Sequence, residues 1–78
     1  MEPDIWHPMD GTCIREAGYD PYTRYLWIRF VDGDGTPYRF RQFPRSKWAD
    51  FKAAPSKGKY YHAFIRGSYY DPEAAKSA

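Results

Sequence analysis

A single cysteine, Cys13, in 78 residues rules out an internal disulfide. Two histidines, His7 and His62, leave a zinc ion without an obvious ligand set. The chain therefore has neither covalent nor metal support. A domain this small buries only about 60% of the surface its unfolded chain exposes. No apolar run approaches the ~20 residues a membrane-spanning helix needs, and the longest fragment lies around residues 26–30. Met1-Glu2-Pro3-Asp4 is acidic and lacks the basic and apolar regions of a secretory signal. With a lone thiol, these features predict a cytoplasmic protein, in the host cytoplasm if the chain is viral. Charge is scarce as well. The formal net charge of +2 and the sequence pI of 8.7 are milder than the basicity of dedicated nucleic-acid binders. Only the local distribution of charge can then be informative.

What the chain has is aromatic residues, at 21% of the sequence. Each buries a large area, so they can compensate for short length, and some can remain exposed for stacking or partner contact. Residues 12–18 read as a first strand, and Tyr19-Asp20-Pro21 as a turn. Residues 25–31 are the clearest strand, with Leu26, Ile28 and Phe30 on one face and Tyr25, Trp27, Arg29 and Val31 on the other. Asp32-Gly33-Asp34-Gly35 is a hairpin signal, and residues 37–43 are the return strand. There Tyr38, Phe40 and Gln42 share one face, and Arg39, Arg41 and Phe43 the other. From Pro44 the period changes to a helix that Pro55 ends. Ser56 caps a second helix, with Tyr61, Phe64, Ile65 and Ser68 at helical spacing and Gly67 as its stop. A strand over 56–67 is the alternative, because Tyr-Tyr-His-Ala-Phe-Ile also suits a sheet. The expected fold is α+β: a three-stranded antiparallel meander followed by two short helices packed on one sheet face. Residues 1–11 form an N-terminal arm, on which Trp6 can dock on the body. Residues 12–70 form one domain, and 71–78 a flexible tail.

The order of landmarks resembles the KTSC domain, a short module named for the C-terminal region of some lysyl-tRNA synthetases that also occurs free-standing in bacteria and phages. The matching residues are Ile14, Gly18-Tyr19-Asp20, Leu26, Ile28, Phe30, Tyr38-Arg39-Phe40, Phe43-Pro44, Ser56-Lys57-Gly58-Lys59-Tyr60, Ile65-Arg66 and Tyr69. Two departures are visible: Thr12-Cys13 stands where two small polar residues are usual, and the Tyr-x-Tyr centre ends in Phe40. The resemblance implies RNA binding only by association with a tRNA enzyme, and it supplies no catalytic residue.

Four constellations remain. If Leu26, Ile28, Phe30, Tyr38 and Phe40 point inward, then Trp27, Arg29, Arg39 and Arg41 point outward, with Arg15 joining from the first strand. An exposed sheet of Trp and Arg can stack bases and neutralise phosphates, while its plain reading is a solvated face with Trp27 on arginine stems. Lys57 and Lys59 with Ser56 and Arg66 could hold an anion, although the spacing is not that of a P-loop. Asp32-Gly33-Asp34-Gly35-Thr36 resembles a calcium loop but fails, because Pro37 replaces the invariant glycine and Phe43 the bidentate glutamate. Cys13 with His7 or His62 shows no sign of a nucleophile and its base. The sequence thus predicts a non-enzymatic binding module without cofactor or metal. RNA or another polyanion is the leading partner, through Arg15, Trp27, Arg29, Arg39, Arg41, Lys57, Lys59 and Arg66. The alternative is a protein-interaction module, such as a phage-encoded effector of a host protein, with Trp27, Trp48 and Tyr61 at the interface.

Overall fold

The structure, a computed structural model, describes residues 3, 5–9, 13–67 and 69. The expected tail at 71–78 lies outside the described residues, as does Ser68. The elements are β1 (His7–Pro8), β2 (Ile14–Asp20), β3 (Tyr25–Phe30), β4 (Tyr38–Phe40), α1 (Arg45–Ala53) and α2 (Lys57–Tyr60), the last continuing as a π-helical turn over Tyr61–Ile65. The strands form one antiparallel sheet in the order β1-β2-β3-β4. The α+β class, the meander and the helical reading of 56–67 all hold.

β3 carries the alternation that fixes the sheet. Leu26 pairs with Tyr19 and Phe40, and Ile28 with Ala17 and Tyr38, so these side chains share the face that the helices cover. Leu26, Ile28, Ile14, Ala17, Phe43, Phe51 and Ile65 are wholly inaccessible to solvent. α1 begins where Pro44, already at φ −65°, presents its carbonyl to the Lys47 and Trp48 amides at 3.1 Å. It ends at Ala54, whose extended backbone suits the residue before Pro55. α1 buries a single side chain, Phe51. The Ser56 hydroxyl caps α2 by accepting from the Lys59 amide at 3.3 Å. The Arg66 amide then reaches back to the Tyr61 carbonyl at 2.8 Å, the wide loop of a π turn. Gly67, at φ +81°, ends it.

Several expectations are corrected. The first strand, expected to end at residue 18, runs over Ile14–Asp20 (residue 12 lies outside the described residues), because Asp20 closes the turn from its end: its carboxylate accepts from the Tyr22 and Thr23 amides at 2.9 and 3.4 Å. Tyr19 and Asp20 therefore belong to β2, and the turn occupies 21–24. The return strand stops at Phe40, because Gln42 adopts φ +60° and reverses the side-chain parity. Phe43 consequently enters the core and leaves the arginine face. Phe64 and Ile65, both expected at helical spacing, divide in the π turn: Ile65 is buried and Phe64 is 49% exposed.

The last correction concerns the arm. Residues 7–8 are a fourth strand on the free edge of β2, with His7 opposite Ala17 and Pro8 opposite Glu16. Pro8 has no amide to offer a further strand, which protects that edge. The helices cover one face of the sheet, and the arm crosses part of the other at Gly18.

Candidate functional site

The expected basic-aromatic face exists, but only part of it is open. Across β2, β3 and β4 it carries Glu16, Gly18 and Asp20, then Tyr25, Trp27 and Arg29, then Arg39. Gly18 lies opposite Trp27, and the arm crosses the sheet there. A Cβ on Gly18 would collide with the Pro3 ring and approach the Ile5 carbonyl to 2.9 Å. Trp27 keeps the outward parity assigned to it, yet it is only 5% exposed beneath this cover. Arg29 is a brace: Nε donates to the Gly35 carbonyl at 2.9 Å, Nη1 pairs with Glu16 at 2.7 Å, and the guanidinium lies 4.1 Å from the Trp6 ring centre. It holds the hairpin loop, β2 and the arm together.

Beyond the arm the face opens into a groove of about 490 Å³ toward the 21–24 turn. Tyr22 stands on its rim at 90% exposure, an aromatic ring presented almost wholly to solvent. Arg39 lies in its wall with the guanidinium 4.2 Å from the Tyr25 ring centre, a planar cation stacked on an aromatic face. The chain from Arg41 to Arg45 folds back beside this turn, because the Phe43 amide donates to the Arg24 carbonyl at 3.0 Å and Arg45 Nε to the Pro21 carbonyl at 3.0 Å. Exposed Arg24, Arg41 and Arg45 thereby share one end of the sheet. The sequence reading singles out Arg39 and Arg41 but misses Tyr22, Arg24 and Arg45. The signal available for them is an aromatic-basic turn, Asp20-Pro21-Tyr22-Thr23-Arg24, directly before the clearest strand.

The Tyr19 phenol anchors this end of the sheet from the core side. It donates to the Phe43 carbonyl, stacks on Trp48 at 5.3 Å and meets Phe43 edge-on. Burial holds its pKa above the ordinary phenol value, against the opposing pull of Arg45 and Arg24. A folded-state pKa raised in this way contributes stability that is complete below the unfolded value of about 10 and is lost as pH rises through the folded value. Tyr19→Phe is expected to cost about 1–2 kcal/mol at neutral pH, by leaving the Phe43 carbonyl without its donor. It should also reduce the alkaline loss of stability, part of which remains with Tyr60, whose phenol burial likewise raises. Urea titrations at neutral pH and at about pH 11 read both effects.

The other sequence candidates do not gather here. Arg15 is the exposed extra residue of a bulge between Ile14 and Glu16, at the far end of the sheet. Lys57 Nζ donates to the Ala54 carbonyl, and Lys59 is exposed on α2. Arg66 lines a second groove, of about 650 Å³, with Phe30, Tyr38, Tyr61 and His62. Trp48 and Tyr61 are half-buried aromatic packing: Trp48 lies between Tyr19 and His7 under Lys52, and Tyr61 lies against Phe30 and Phe40. Among the described residues no group of three or more His, Cys, Asp or Glu is placed to hold a metal ion, and no helix is long and apolar enough to cross a membrane.

Comparison with known proteins returns the same chain segments. Residues 11–69 match the KTSC domain family. The chain is 33% identical over 60 residues, 77% of its length, to a lysine–tRNA ligase of Nostoc sp., of which it spans about a tenth (10%). It is 30% identical over 59 residues to a protein of Tsukamurella paurometabola, covering 76% of this chain and 85% of that one. The crystal structure of a KTSC domain protein from Yersinia pestis superposes with a TM-score of 0.77 at 31% identity, over 83% of this chain and 89% of the other. With a family match over residues 11–69 and a 31%-identical solved structure of the same fold, the chain belongs to the KTSC domain family.

Proposed function

We propose that this chain is a non-enzymatic binding module for single-stranded RNA, and that the groove beside the 21–24 turn is where it binds. One observation carries this reading: a nearly fully exposed tyrosine, Tyr22, shares a groove with the stacked pair Tyr25 and Arg39, beside exposed Arg24, Arg41 and Arg45. Aromatic faces accept any base by stacking, at roughly 1–3 kcal/mol each, and arginines neutralise the backbone. Among the described residues the one acidic group in the groove wall, Asp20, is occupied by the turn amides. That a lysine–tRNA ligase carries a similar segment adds an RNA context to the same surface. The working compartment in this proposal is the cytoplasm, or the host cytoplasm for a phage-borne copy.

The test is an anisotropy titration of fluorescein-labelled tRNA and oligouridylate at about 50 mM and about 200 mM salt. Binding at the lower concentration that weakens steeply at the higher supports the reading. Absence of binding at low salt overturns it.

A second reading rests on the other groove. Tyr38 is exposed there, and Phe30, Tyr61 and Arg66 line the same groove. Such a patch suits a protein partner, including a host protein modulated by a phage-encoded copy. A nuclease-insensitive pull-down that Tyr38→Ala and Arg66→Ala abolish would favour it over RNA.

A further inference from the structure

The arm covers the part of the sheet that would extend the proposed groove, and its chemistry resembles that of the ligand. Three of the chain's ten acidic residues, Glu2, Asp4 and Asp10, fall in its first ten positions, which contain no Lys or Arg. The arm also brings one indole, Trp6, against the Arg29 guanidinium at 4.1 Å, the placement a nucleobase takes on an arginine plane. Pro3 and Ile5 seal Trp27 beneath them. The family match begins at residue 11, so the arm lies outside the matched domain. Among the described residues its C-terminal half is anchored, by the pairing of β1 with β2, by the Met9 amide on the Arg15 carbonyl, by Met9 in the core and by His7 edge-on to Trp48, whereas Pro3, Ile5 and Trp6 lie against the face with Ile5 66% exposed.

We propose that the stretch carrying Pro3, Ile5 and Trp6 is a built-in competitor, and that the RNA surface of this chain continues beneath it through Trp27 and Arg29. The inference rests on the RNA reading above and extends its site. In the closed form Tyr22 and the Tyr25–Arg39 stack line the groove. When the arm lifts, the Trp27 indole and the Arg29 guanidinium join them in one stripe along β3 and β4. The fraction of molecules with the arm lifted scales the apparent affinity, so displacing the arm strengthens binding by the reciprocal of that fraction.

Two full-length variants test this. Gly18→Ala keeps an ordinary strand backbone, since Gly18 has no left-handed φ, but puts a methyl group where the Pro3 ring sits. Trp6→Ala removes the ring from Arg29. Each is titrated with labelled oligouridylate at about 50 mM salt, with acrylamide quenching of the tryptophans, Trp6 and Trp27 among them, to report lifting of the arm and the near-ultraviolet circular dichroism to report the packed core. The expected result is affinity raised about tenfold by Gly18→Ala and about threefold by Trp6→Ala, with quenching increased in Gly18→Ala and the core signal retained. Unchanged affinity with increased quenching overturns the competitor while leaving the RNA reading in place. Weakened affinity in Trp6→Ala, whose sheet is unaltered, does the same, by making the arm part of the site. Failure of the parent and both variants to bind overturns this proposal together with the RNA reading.

Discussion

Phe51→Ala is expected to destabilise the fold by about 3–5 kcal/mol, because a phenyl ring is removed from a site that cannot collapse around the loss. Phe51 is wholly buried, stacks on Tyr60 at 5.5 Å and meets Trp48 edge-on at 6.2 Å. It is the only fully buried side chain of α1, and the half-buried Trp48 is the helix's second, partial anchor. Domains of this size have total stabilities near the lower end of about 5–15 kcal/mol, and a melting temperature lowered by roughly 15 °C or more follows. Phe64→Ala, on an exposed ring nearby, should cost less than about 1 kcal/mol. Thermal melts of the two variants side by side measure the contrast. A Phe51→Ala melt close to the parent would mean that α1 is docked by something other than this ring.

The second large effect is on binding. Arg39→Glu combined with Arg41→Glu should weaken RNA affinity by more than about tenfold at low salt, because two cations are lost and two like charges are set against the backbone. Each phosphate contact on a single strand adds about 0.7 to the slope of log affinity against log salt, so the slope should fall by roughly 1.4. Lys59→Glu with Arg15→Glu, far from the groove, should show only the weaker long-range effect that screening over about 10 Å leaves. If the two double variants lose affinity equally, the chain binds RNA through its net charge and has no defined surface.

The sequence made the meander legible because Leu26, Ile28 and Phe30 alternate without interruption and Asp32-Gly33-Asp34-Gly35 marks the turn. The helix at 45–53 was legible from Pro44 and Pro55, and the second helix from the Ser56 cap. β1 was not legible, since two residues, one of them proline, carry no period. Gln42 hid the end of β4: a non-glycine at positive φ gives little local signal, so Phe43 was assigned by parity to a face it does not occupy. Trp27 shows why site residues are harder to read than elements. Its outward direction followed from alternation, but its burial depends on Pro3 and Ile5 crossing Gly18, a tertiary contact between segments that local patterning does not connect. Arg29 was likewise placed on the correct face, while its partners Glu16, Gly35 and Trp6 come from three separate segments. Tyr22 lay in a turn, outside any strand or helix whose faces could be compared.

An amide proton–nitrogen NMR map of the full-length chain, titrated with oligouridylate at low salt, tests most directly where this domain meets its ligand. Shifts concentrated at Tyr22, Arg24, Tyr25, Arg39 and Arg41, together with Ile5 and Trp6 as the arm is displaced, are the expected result. Shifts confined to Phe30, Tyr38, Tyr61 and Arg66 around the second groove, or no shifts at all, would contradict it.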